Sequence, residues 1–148
     1  MNDWSEKDVG LLLGALSGVY KDTESTKRAI ARGSEESNPL LGKNPSGADL
    51  DKFGIAAALL GTGTAAALPE KWRRPMLGAW AGLEHGLAKY NDEYNAKKGG
   101  GKFEDAAKSA LPLAALGGLL GHYLSDEDSG ISVGEKDGAI SLIFKRGF

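Results

Sequence analysis

The chain has 148 residues, a formal net charge of −2, two histidines and no cysteine. That length suits one compact domain or a bundle with appendages. No strong basic balance advertises nucleic acid, and we expect no sequence-specific nucleic acid partner. The missing cysteines exclude disulfides, thiolate metal sites and cysteine nucleophiles. His85 and His122 are far apart in sequence, so no His-rich metal site is expected. The acidic start "MNDWSEKD" does not read as a secretory signal. Composition therefore points to no cofactor and no metal.

Ser5 and Asp8 form a Ser-x-x-Asp capping box before an apolar run. The first helix is expected from about Glu6 to Arg32, with Leu12, Leu16, Val19, Tyr20, Thr23 and Ile30 at helical spacing. Gly33 stops it, and Pro39 and Pro45 forbid its continuation. Ser46 and Asp49 repeat the capping box and start a second helix, from about Ala48 to Ala67. That helix is almost entirely Ala, Leu, Gly and Thr.

"LPEKWRRP" turns the chain. A third helix follows from Pro75, or already from Glu70, to about Ala96. "KKGGGK" at 97–102 marks a boundary. A fourth helix runs from about Phe103 to Leu124, with Pro112 as an expected kink. "SDEDSG" is an acidic loop. Two β-prone runs around "EKDG" suggest a closing hairpin. The fold class is therefore mainly α, a glycine-rich bundle of about four helices with a C-terminal β-hairpin. Its parts are an apolar three-helix region at 1–98, a fourth helix at 99–128 and a tail at 129–148.

The 22 glycines are the unusual feature, because each glycine inside a helix costs about 1 kcal/mol relative to alanine. Gly10, Gly14 and Gly18 recur every fourth residue, as do Gly78, Gly82 and Gly86. Gly117 and Gly121 continue the pattern, and Gly61 lies between Ala57 and Ala65 at the same spacing. A four-residue period places small residues on nearly one helix face. Such a stripe lets two backbones approach closely, an association mode known in membranes.

A spanning helix needs about 20 mostly apolar residues. The uncharged runs here, such as Phe53–Pro69 and Ser109–Leu124, fall short of that. Lys and Arg occur in every connection and give no inside–outside asymmetry. A chain soluble in one state and membrane-inserted in another fits this pattern better than a conventional multi-span protein. An ordinary soluble bundle fits nearly as well. Trp72, Arg73 and Arg74 in "KWRRP" read as a membrane-interface group, with the arginines on phosphates, or else as a surface turn. Trp4 and Trp80 read as packing residues.

Glu84 and Asn91 share a face of the third helix, and Asp22 and Glu36 are further acids near apolar segments. Such a set can bind a cation or move a proton. The plainer alternative is a solvated or interhelical hydrogen-bonding face. No Ser-His-Asp arrangement, P-loop or His-Glu-x-x-His motif is present, so no enzyme is expected. In the tail, Ile140, Leu142, Phe144 and the final Phe148 suit docking to a partner or to copies of the same chain.

Four stretches, "DTEST", "ESNPLLGKNPS", "LPEKWRRP" and "EHGLAKYN", together resemble a group of small, mostly uncharacterised bacterial and bacteriophage proteins. That group looks like hydrophobic three-helix membrane proteins with a Glu-x-Asn-Pro-x-x-Gly-x-x-Pro-Ser loop. The positions that match are Asp22, Thr26, Glu36, Asn38, Pro39, Gly42, Pro45, Ser46, Leu68, Pro69, Arg73, Glu84 and Asn91. The likeness spans about residues 9 to 95. The greater glycine and charge content, the fourth helix and the tail depart from it. The resemblance implies a membrane link and a phage or prophage setting, and no known activity.

The expectation from sequence is thus a non-enzymatic bacteriophage virion protein. It would be a homo-oligomer packed by glycine faces and associated with genome ejection through the cell envelope. Its partners would be copies of itself, portal or ejection proteins, and membrane lipids. It would be located in the virion and then in the host envelope. The alternative is a small integral membrane protein of the bacterial inner membrane, holin-like or uncharacterised.

Overall fold

The structure is a computed structural model. It describes residues 4–36, 38–95, 103–125, 130–136 and 139–145. Four long helices dominate: α1 (Glu6–Ala31), α2 (Gly47–Ala67), α3 (Glu70–Tyr90) and α4 (Phe103–Tyr123). A π-helical turn, Asn91–Asn95, continues α3. Two strands, β1 (Gly130–Lys136) and β2 (Ala139–Lys145), pair antiparallel with Ile131 opposite Phe144 and Val133 opposite Leu142. The linker expected at 97–102 lies outside the described residues, as does Phe148.

Local chemistry sets the helix ends. The Ser5 hydroxyl accepts from the Asp8 amide at 3.2 Å, and the Asp8 carboxylate accepts from the Ser5 amide at 2.8 Å. Ser46 and Asp49 repeat this pair at the start of α2, at 3.2 and 3.1 Å. Each box satisfies two amides that a helix start would otherwise leave open. At the end of α1 the Gly33 amide donates to Ile30 and the Ser34 amide to Ala29, at 2.9 and 3.1 Å. That double closure requires a left-handed residue, and Gly33 supplies it with φ 91°.

α3 starts at Glu70, the earlier of the two expected starts, so Pro75 sits inside it. The ring is tolerated there because it lies close to the first turn, where few backbone bonds are lost. α3 ends at Tyr90, six residues before Ala96, where the ladder widens into the π turn. α4 continues through Pro112.

α3 is the central element, with α1 on one side and α4 on another. α3 and α4 run antiparallel. A Cβ added to Gly78 would land on the Gly117 carbonyl oxygen, one on Gly82 on that of Leu113, and one on Gly121 on that of Arg74. At Gly86 it would lie 2.6 Å from the Ala110 Cα. The two backbones touch, and only glycine fits at these positions. The core is correspondingly made of small residues. Ala15, Ala29, Ala65, Ala88, Ala106 and Ala110 are buried, and Leu77 is the one large apolar side chain in the described core that is completely enclosed. α2 lies more loosely, against α1 and the Trp80 ring. A Cβ on Gly54 would come within 2.6 Å of the Thr23 hydroxyl, and one on Gly61 would enter the Trp80 indole.

Candidate functional site

The polar residues scattered along the sequence converge on one cavity of about 130 Å³. α1 contributes Asp22, Thr23 and Thr26, the α1–α2 loop Glu36 and Asn38, α3 Glu84, and the π turn Asn91. Val19, Leu41, Leu50, Phe53 and Leu87 form its apolar side. Asn91 is the hinge pin. Its side-chain amide donates to the Asp22 carboxylate at 3.0 Å, to the Thr26 hydroxyl at 3.0 Å and to the Ser25 hydroxyl at 3.2 Å. This ties the end of α3 to the last turns of α1.

Glu36 and Asn38 bond within their own loop. Glu36 accepts from the Asn38 amide at 2.7 Å, and Asn38 accepts from the Leu40 amide at 3.0 Å. Both bonds close the loop on itself, as Asx-type turns do. Pro39 follows within that turn, and Pro45 directly precedes the Ser46 cap. Glu84 accepts from the Trp80 indole at 3.0 Å, and its Cβ would sit 2.7 Å from a Cβ on Gly18.

Three carboxyl groups therefore face one small space. Burial first, and then the charges of Glu84 and Glu36, together push Asp22 up to about 7 from an ordinary 3.8. Burial also raises Glu84, against the lowering effect of its bond to Trp80. No lysine or arginine lines the cavity among the described residues. Among them, no three acids or histidines are grouped so as to hold a metal ion.

Arg73 and Arg74 require a correction. Read as interface groups for lipid phosphates, they are instead buried at one end of the bundle, with Arg73 at 0% exposure. Arg73 donates to the Ala65 and Leu68 carbonyls of α2 at 3.2 and 3.3 Å, lies 3.5 Å from Asp8, and stacks 5.0 Å above the Trp4 ring. Arg74 donates to Asp8 at 3.1 Å, to Ser5 at 3.0 Å and to the Leu124 carbonyl after α4 at 2.8 Å, and pairs with Glu70. Two guanidinium groups thus satisfy the carbonyl ends of two helices and the acid at the start of a third. Burial alone would raise Asp8; its bonds from Ser5 and the Arg74 cation outweigh that and hold it low. The missed signal was Asp8 itself, read only as a cap although it also had a second carboxylate oxygen to offer. Trp72 does face outward.

Membrane spanning is corrected as well: no described helix is long and apolar enough to cross a membrane. The glycines expected to join separate copies are largely used within the chain. Gly78, Gly82, Gly86, Gly117 and Gly121 make the α3–α4 contact, Gly14 and Gly18 rest on α3, and Gly61 meets Trp80. Gly10 has open space around it. Ile140, Leu142 and Phe144 sit on β2.

What remains outside is apolar bulk. On α2, Ile55, Leu59 and Leu60 are 61, 69 and 72% exposed. Leu13 on α1 and Leu111, Leu116 and Leu119 on α4 are also exposed.

No known protein family, curated protein or solved structure matches this chain. The bacteriophage and virion setting expected from the loop resemblance gains no support from them.

Proposed function

We propose that this is a non-enzymatic helical assembly protein that covers the outer face of α2 with copies of itself. The observation that carries this reading is α2. From Phe53 to Leu68 it contains no charged residue, yet only the side against α1 and Trp80 is covered. A helix that is apolar all round belongs in an interior. Burying one Leu or Ile contributes about 1.5–3 kcal/mol, so three such exposed side chains form a strong drive to associate.

A second copy suits this face better than a dissimilar partner. The face has no charge with which to select another surface. Its mixture of Ile and Leu with the small Ala and Gly lets two α2 helices pack closely against each other. In the same reading the C-terminal strand pair is a second contact. A two-stranded pair is marginal alone, and adding its edge to a neighbour's would stabilise it.

Sedimentation equilibrium of the full chain tests the reading. The wild type should sediment as an oligomer, and an Ile55→Lys, Leu59→Lys variant as a folded monomer. A wild type that stays monomeric at the highest attainable concentration would falsify it.

A further inference from the structure

The cavity beside the α1–α2 loop is not needed for the α2 surface, and its design calls for its own account. The one fully buried acid among the described residues is paired: Asp8 lies against both Arg73 and Arg74. Exposed acids near the cavity are also neutralised, Asp51 and Glu24 by Lys27, and Asp92 by Arg28. Asp22, Glu36 and Glu84 instead face one another. They come from three separate elements, so repulsion among them acts on how those elements sit together. The weakest of the three is the loop. It is held by short-range bonds, by the Glu36 amide to the Lys43 carbonyl at 2.8 Å, and by two left-handed glycines, Gly33 and Gly42.

We propose that Asp22, Glu36 and Glu84 form a proton-operated latch, which holds the 33–45 loop closed over α1 and α3 when protonated and releases it on ionisation. Asp22 is the group that titrates, because burial and its two neighbours place its proton loss near neutral pH. α3 presents Glu84, and His85 beside it lies against Gly18, 3.4 Å from where a Cβ would be. The loop presents Glu36. The π turn presents the Asn91 amide, with Asp92 turned outward to Arg28. α2 presents Leu50, Phe53, Gly54 and Ala57, and α4 presents Ala106, none of which titrates. On α1, Glu24 and Lys27 are engaged with each other and with Asp51.

With a proton on Asp22, its remaining acceptor oxygen still serves Asn91, so the α1–α3 tie is kept. Without it, a full charge stands beside two other carboxylates, with no lysine or arginine lining the cavity among the described residues. The loop is the element that can move away without breaking a helix.

Hydrogen exchange of backbone amides in the full chain tests the latch, corrected for the intrinsic pH dependence of exchange and run at pH 5.5 and 8.5. Loop amides, including those of Glu36, Asn38 and Leu41, should lose protection by about tenfold or more at the higher pH, while α3–α4 amides keep theirs. Asp22→Asn, a fixed mimic of the protonated acid, should stay protected at both values. Equal wild-type protection at both pH values, or an unchanged loss in Asp22→Asn, overturns the proposal. Should Asp22→Asn fail to fold, Glu36→Gln decides. Removing the loop's own charge should leave its amides equally protected at both pH values, and an undiminished loss at pH 8.5 overturns the latch.

Discussion

Gly78 and Gly117 are reciprocal: the carbonyl oxygen of each occupies the place where a Cβ on the other would stand. α3 and α4 therefore meet backbone to backbone, close enough for Cα–H···O contacts. Gly117→Ala, although it favours an isolated helix, should destabilise the protein by about 2 kcal/mol or more, because a rigid carbonyl must move aside. Gly10→Ala, with open space around the new methyl, should stabilise it by about 0.5–1 kcal/mol. Urea unfolding of the two variants measures both signs. Equal effects would remove the packing argument.

The Asp8 knot makes a second contrast. Removing one partner of a buried ion pair leaves a charge without compensation and costs about 3–5 kcal/mol. Asp8→Ala removes the buried carboxylate that Arg73 and Arg74 share, and should fall in that range. Glu70→Ala removes only a half-exposed partner of Arg74 and should cost under about 1 kcal/mol. Thermal unfolding should rank the two variants in that order.

Stability should peak at about pH 4, near the ordinary value of both acids. Asp22 is raised in the folded state from 3.8 to about 7. Below about pH 4 it is protonated both folded and unfolded, so it contributes no penalty. As pH rises from there to about 7 the unfolded chain releases this proton and the folded one keeps it, and stability falls by up to about 4 kcal/mol. Asp8 has the opposite sign. Its folded value is lowered, so its contribution is present above its unfolded value and is lost as pH falls through the folded one. Urea titrations across pH 3–8 should give a maximum between these limits, and Asp22→Asn should flatten the upper limb.

Gly61 meets the Trp80 ring, and Trp80 in turn bonds Glu84. Gly61→Val should push the indole away and loosen α2 from the bundle. Faster amide exchange along α2, with α3–α4 amides unchanged, is the expected result. Trp emission should shift to the red at the same time.

The legible part of this fold was its punctuation. Ser5 with Asp8, Ser46 with Asp49, and Gly33 mark helix ends by chemistry that acts over three or four residues. Partner choice was not legible. The four-residue small spacing recurs in all four helices, so nothing local says that Gly78 meets Gly117 rather than Gly14. "KWRRP" failed for the same reason: its acid, Asp8, lies 66 residues from Arg74, and without it two arginines look like surface groups. The cavity was half legible. Asp22, Thr26, Glu84 and Asn91 were singled out, but Ser25 and Trp80 join them only through helix packing.

The alanine and glycine interior has one more consequence. Close helix contact leaves little room inside for large side chains, so the leucines that would ordinarily drive collapse lie on the rim. Folding one copy alone withdraws little of that greasy surface from water. If copies associate as proposed, shape and company become a single equilibrium, and dilution should act on this protein much as warming does, with a melting point that climbs as concentration rises.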